Sequence, residues 1–80
     1  MLSENAIKLL AFMSHERTTN GKTSFAPHEF LGVKAISPIT LNEIDIAIEE
    51  LHSKGMIDIA NNIASTVSLT EYGFSIANHR

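Results

Sequence analysis

The first part of the chain has an apolar pattern with helical spacing. Apolar side chains recur from Ala6 to Met13 and occupy two faces of the predicted helix instead of one. Ser3 precedes them as a favourable N-cap residue, and Glu4 stands in the first turn, where a negative charge suits the helix dipole. The pattern therefore predicts a first helix that begins near Ser3. Two apolar faces fit either a central helix covered by its own domain or a helix that also packs against a second subunit.

The next segments are shorter and more polar. Residues 17–24 contain an Asn-Gly pair and no periodic apolar residue, so they predict a loop. Pro27 suits the first turn of a helix, and Phe30 and Leu31 would form the inward face of that helix. Residues 27–34 therefore predict a short second helix.

The strongest local pattern lies in the middle of the chain. Thr40 and Glu43 have the spacing of a capping box, in which each side chain accepts a hydrogen bond from the other residue's backbone N–H. Ile39 and Ile44 occupy the positions of a hydrophobic staple around this box. Apolar residues then continue at helical spacing. The pattern predicts a third helix over residues 41–54.

After the third helix the apolar spacing changes from helical to alternating. Gly55 suits the left-handed conformation that ends a helix. Alternation over residues 57–59 and 67–69 predicts two short strands, with the asparagine pair at 61–62 favouring a hairpin turn between them. Thr70 can then cap a final helix.

Composition limits the classes of protein and of site. The chain has 80 residues, of which 44% are hydrophobic and 19% charged, as is usual for a folded globular protein, and we expect one domain over residues 1–80. It has no cysteine, which excludes disulfides, thiolate zinc sites and cysteine nucleophiles. Because the sequence shows no long apolar run and no secretory signal pattern, we expect a cytoplasmic protein that does not contact a membrane.

Two short stretches resemble a known family. Residues 51–57 (LHSKGMI) are similar to the L-x-x-K-G-L-I pattern that ends the third helix and begins the wing in MarR-type and PadR-type regulators. Residues 67–73 (VSLTEYG) are similar to the V-x-L-T-x-x-G pattern that follows the wing. Over residues 40–77 the chain thus resembles a winged helix-turn-helix domain. The resemblance implies an α+β fold, mostly α, with a three-helix core, a two-stranded hairpin as the wing and a C-terminal helix.

The resemblance also implies where a functional face would lie. In DNA-binding members of the family the third helix enters the major groove. Its solvent face in this chain comprises Asn42, Glu43, Asp45, Ile46, Glu49 and Glu50. Four of these six residues are acidic, the formal net charge is −3, and no lysine or arginine occurs between Gly55 and Asn78. We therefore expect Asn42, Asp45, Ile46, Glu49 and Glu50 to contact a protein more readily than DNA, although an acidic face that is merely solvated is an alternative.

A small DNA-binding transcriptional regulator is the alternative function. The basic residues Arg17, Lys22 and Lys34 would supply its phosphate contacts, and so few contacts predict weak, salt-sensitive binding. The four histidines do not have the spacing of metal ligands, and no nucleophile elbow, phosphate-binding loop or other catalytic motif is found. We therefore expect a regulatory protein that is not an enzyme and that binds neither a metal nor a cofactor.

Self-association is the last expectation from the sequence. The second apolar face of the first helix and the unusually apolar C-terminal helix suggest a homodimer. The residues predicted to form its interface are Leu9, Phe12, Met13, Tyr72 and Phe74. For Phe74, a place in the chain's own core is the alternative.

Overall fold

The computed structural model describes residues 2–34, 36, 38–61 and 65–78. The chain is α+β and mostly helical, as the sequence predicts. In chain order the elements are α1 (Glu4–Asn20), β1 (Ser24–Phe25), a 3₁₀ helix (Pro27–Phe30), α2 (Leu41–Ser53), β2 (Ile57–Asn61), β3 (Ser65–Leu69) and α3 (Glu71–Ala77). None of the helices in these ranges is long and apolar enough to cross a membrane.

Helix α1 begins as predicted but is longer than expected. The Ser3 hydroxyl accepts a hydrogen bond from the backbone N–H three residues later, so Ser3 is the N-cap. The helix continues to Asn20 and ends at Gly21, which has a φ of +67° and donates its N–H to the carbonyl of Arg17 at 3.1 Å. The loop predicted for residues 17–24 is therefore wrong over its first four residues, which are helical, and at Ser24, which belongs to a strand. The Asn-Gly pair marks the left-handed end of a helix here, and the last helical turn is polar because it is mostly exposed.

The segment after α1 differs most from the prediction. Ser24–Phe25 forms a strand, which two residues are too few to reveal by alternation. The predicted second α-helix is a short 3₁₀ helix over Pro27–Phe30. Phe30 is buried as expected, but Leu31 is 41% exposed and does not form an inward face. Phe25 pairs with Val67 in the sheet, a contact that local sequence patterns do not encode.

Helix α2 confirms the strongest local prediction. The backbone N–H of Glu43 donates to the Thr40 hydroxyl at 3.2 Å, and the backbone N–H of Thr40 donates to the Glu43 carboxylate at 3.0 Å. The helix ends at Ser53 with Lys54 as its C-cap. Gly55 follows with a φ of +75°, so the predicted left-handed residue is present at the corner between helix and strand.

The three strands form an antiparallel sheet in the order β1-β3-β2. Ile57 lies opposite Leu69, and Ile59 lies opposite Val67. The two strands predicted after Gly55 are thus confirmed. The predicted turn at residues 61–62 lies partly outside the described residues.

The core lies between α1, α2, the sheet and α3. Three phenylalanines form one aromatic cluster in it, because the ring centroids of Phe12, Phe25 and Phe30 are 5.8–6.0 Å apart. Leu9, Met13, Ile36, Ile44, Leu51, Ile57 and Val67 are also fully or almost fully buried.

One junction holds the start of α3 against the turn between α2 and β2. The Thr70 hydroxyl accepts a hydrogen bond from the N–H of Gly73 at 3.0 Å and donates to the carbonyl of Gly55 at 2.8 Å. The N–H of Thr70 donates to the carbonyl of Met56 at 3.1 Å. Gly73 lies so close to that carbonyl that a Cβ atom would be 2.1 Å from its oxygen. The two stretches that resemble the family therefore meet at one junction, through two hydrogen bonds from Thr70 and the close approach of Gly73 to Met56.

Candidate functional site

A groove runs between the exposed face of α2 and the β2–β3 pair. Its concave surface encloses about 500 Å³. The residues that line it are Pro27, Asn42, Asp45, Ile46, Ile48, Glu49, Ile59 and Val67. Four of the five residues predicted for the α2 interaction face thus line one concavity, together with residues of the sheet and the 3₁₀ helix.

The floor of this groove is apolar and its α2 side is acidic. Ile48 and Val67 are almost fully covered, Ile59 is half-buried, and Ile46 is 60% exposed. The carboxylates of Asp45 and Glu49 lie one helical turn apart beside Ile46. None of the eight lining residues, all of which the structure describes, is a lysine, arginine or histidine.

Glu50 does not belong to the groove. Its carboxylate accepts a hydrogen bond from the backbone N–H of Ser3 at 2.7 Å, which ties α2 to the start of α1. This hydrogen bond is the main reason that the pKa of Glu50 is lower than its ordinary value. The sequence places Glu50 on the solvent face of α2, whereas the structure leaves it half-buried, because the chain beginning at Ser3 reaches that side.

Arg17 has intramolecular partners. Its guanidinium forms an ion pair with Glu71 at 2.6 Å and lies over the ring of Phe74, 4.1 Å from the centroid. These contacts join the end of α1 to the start of α3. A phosphate contact by Arg17, as predicted from the sequence, would compete with both.

Lys22 is also engaged within the chain, whereas Lys34 is exposed. Lys22 pairs with Glu29 and lies 5.2 Å from the centroid of the Phe25 ring. The Lys22 side chain is the main cause of a lowered pKa for Glu29, and the backbone N–H of Ala26 contributes to the same shift. Of the three cations predicted to contact phosphates, Arg17 and Lys22 are therefore already paired with carboxylates of the chain.

The predicted dimer residues have different environments. Leu9 and Met13 are fully buried within the chain's own core, so they cannot lie at a subunit interface in this fold. Phe12 packs against other core phenylalanines, and Phe74 lies beneath Arg17. Only Tyr72, at 54% exposure, presents most of its side chain to the surface. The second apolar face of α1 is thus covered by its own domain, the first of the two alternatives.

Four residues outside the predicted interaction face complete the groove. From the sequence, Ile59 and Val67 are assigned only to strands, Pro27 to the start of a helix and Ile48 to the buried face of the third helix. Alternation shows that Ile59 and Val67 share a side of their strands, but only the packing of α2 beside the sheet puts them next to Ile46. The isoleucine at position 46, on the solvent face of the predicted helix, is the one local feature of the sequence that indicates an apolar surface here.

Comparisons with known proteins do not identify the groove. Nothing matches the chain among protein-family models, curated proteins or solved structures. Within the described part of the chain, no three histidine, aspartate or glutamate side chains are grouped as metal ligands. The groove is therefore characterised by its shape, its apolar floor and its two carboxylates.

Proposed function

We propose that this chain is a winged-helix regulatory module that binds another protein through the groove between α2 and the β2–β3 pair. The order of elements supports the winged-helix assignment. A helix, a short strand, a helical turn and a second long helix precede two antiparallel strands, and the first strand joins the sheet beside the last, in the order β1-β3-β2. The junction of Gly55, Thr70 and Gly73 gives the family-like stretches a common structural role.

The choice of a protein and not DNA as the partner rests on the carboxylates of Asp45 and Glu49, which lie beside the exposed Ile46. In a DNA-binding winged helix this face would approach the phosphates of the major groove. Two like charges about 4 Å apart repel by about 1 kcal/mol even in water, and more where water is displaced. An apolar side chain flanked by carboxylates is better suited to a protein surface.

A titration with DNA tests this choice directly. Fluorescence anisotropy of a labelled random-sequence duplex should change little at physiological salt and only weakly at low salt. The variant D45N/E49Q should increase any residual affinity, because it removes the two carboxylates that face the groove. D58N is the matched control, since Asp58 is an exposed carboxylate on β2 that does not line the groove.

The opposite result would favour a DNA-binding transcriptional regulator. Tight binding by the unaltered protein at physiological salt, with an affinity that falls steeply as salt increases, would contradict the proposal. Binding that D45N/E49Q weakens while D58N leaves it unchanged would contradict it as well, because the carboxylates would then support the complex with DNA.

A further inference from the structure

The acidic residues of this protein differ in their contacts within the chain. Glu4, Glu29 and Glu71 form ion pairs with Lys8, Lys22 and Arg17, and Glu43 and Glu50 accept backbone hydrogen bonds. Glu16 accepts a hydrogen bond from the Asn20 side chain, whereas Asp45, Glu49 and Asp58 take part in none of these contacts within the described residues, and of these three only Asp45 and Glu49 line the groove. The two carboxylates that face the groove are thus available for a cationic group from outside.

The apolar side chains of the groove are likewise available for contact with a partner. Ile46 exposes 60% of its surface although it stands beside the nearly covered Ile48 and the half-buried Ile59. A volume of about 500 Å³ is within the range of about 300–1,000 Å³ that is typical of ligand sites, and it can accommodate a large side chain. Covering such apolar area stabilises a complex by about 25 cal/mol per Å² before the costs of association are subtracted.

We propose that the groove docks a short segment of a different protein in which a bulky apolar side chain is flanked by lysine or arginine. The apolar side chain packs on Ile46, Ile48 and Ile59, and the cations pair with Asp45 and Glu49. This inference rests on the proposed function and specifies the chemistry of its partner. Charge complementarity selects this occupant, because a phosphate backbone would be repelled and an uncharged ligand would desolvate both carboxylates without pairing them.

The test uses a displayed library of random peptides, selected on the full chain. Enriched peptides should combine an aliphatic or aromatic residue with neighbouring lysine or arginine. One enriched peptide is then synthesised together with two altered forms, in which either its basic residues or its bulky residue are replaced by serine. Both altered peptides should bind about ten-fold more weakly than the parent or worse. Backbone amide shifts in NMR should map the parent peptide to α2 and the β2–β3 pair.

Matched variants locate the contact. D45N/E49Q and I46S should each weaken binding of the parent peptide about ten-fold. The controls D58N and L41S should bind as the unaltered protein does, because Asp58 and Leu41 are exposed residues of the same types outside the groove. Circular dichroism of every variant shows whether it is folded, and all five side chains are largely exposed.

Several outcomes would overturn the inference. One is that the library yields no more enrichment on the unaltered protein than on the variant I46S/D45N/E49Q. The others are that the enriched peptides lack basic residues, or that D45N/E49Q binds them as well as the unaltered protein does. Self-association that D45N/E49Q abolishes would assign the groove to a second copy of the chain instead. Tight DNA binding would refute the proposed function itself. If DNA binding is weak but no basic, apolar peptide binds to the groove, only the proposed chemistry of the partner is refuted.

Discussion

The contact between Gly73 and Met56 predicts a large effect for a small substitution. In the G73A variant the new Cβ would lie 2.1 Å from the Met56 carbonyl oxygen, 2.9 Å from its carbon and 3.0 Å from its Cα. These are backbone atoms, so no side-chain rotation relieves the overlap, and α3 has to move away. Movement of α3 also disturbs the Thr70 hydroxyl, which links the backbone of Gly55 to that of Gly73.

The expected magnitude follows from opposing effects. Replacing glycine by alanine inside a helix stabilises it by about 1 kcal/mol when nothing interferes. Overpacking against a rigid neighbour costs about 1–3 kcal/mol, and loss of the Thr70 N-cap costs about 1 kcal/mol more. We expect G73A to lower the free energy of unfolding by about 2 kcal/mol, measured by urea denaturation with circular dichroism.

Two other glycines serve as controls for the same substitution. At Gly32 a Cβ would meet no atom within 4 Å, so G32A should change the free energy of unfolding by less than about 0.5 kcal/mol. At Gly55 the space is also open, but the φ of +75° should cost about 1 kcal/mol in G55A. If G73A were as stable as the unaltered protein, α3 would not pack on Met56 as described and the reasoning would be refuted.

Three further predictions concern the cap, the pH and the oligomeric state. T40A should lower the free energy of unfolding by about 1 kcal/mol in the same assay, because it removes the N-cap of α2, and an unchanged value would contradict that role. The Lys22 side chain lowers the pKa of Glu29 in the folded state, so stability should fall as the pH drops below about 4.3, and E29Q should reduce this fall. Equal acid sensitivity of E29Q would argue against the ion pair. If the protein is a dimer through Tyr72, light scattering should report twice the chain mass and Y72E should halve it; a monomer at all concentrations would rule out the interface.

The parts of the fold that the sequence predicts correctly depend on short-range contacts. The box formed by Thr40 and Glu43 closes over three residues, and Gly55 needs only its own backbone dihedral angle. Alternation in the strands likewise follows from neighbouring residues. Interactions of this kind leave a recognisable pattern because each partner is found within one turn or one pair of residues.

The parts that could not be predicted depend on contacts between distant segments. Strand β1 exists because Phe25 pairs with Val67, 42 residues later in the chain. The groove exists because α2 packs beside the sheet, and Glu50 leaves the acidic face because the backbone at Ser3 reaches it. The apolar faces of α1 were ambiguous for the same reason, since only the positions of the other elements show what covers Leu9 and Met13.

The residues that line the groove differ in how much they contribute to the stability of the fold. Ile48 and Val67 form its floor as part of the core, so the shape of the groove is maintained by the same burial that stabilises the protein. Asp45, Ile46 and Glu49 are exposed and contribute little to that burial. Substitutions at these three positions can therefore change the charge and polarity of the groove at small cost in stability, usually within about 0.5 kcal/mol each. Since one fold can host many functions, we propose that these exposed side chains select the partner, and not the arrangement of the helices and strands.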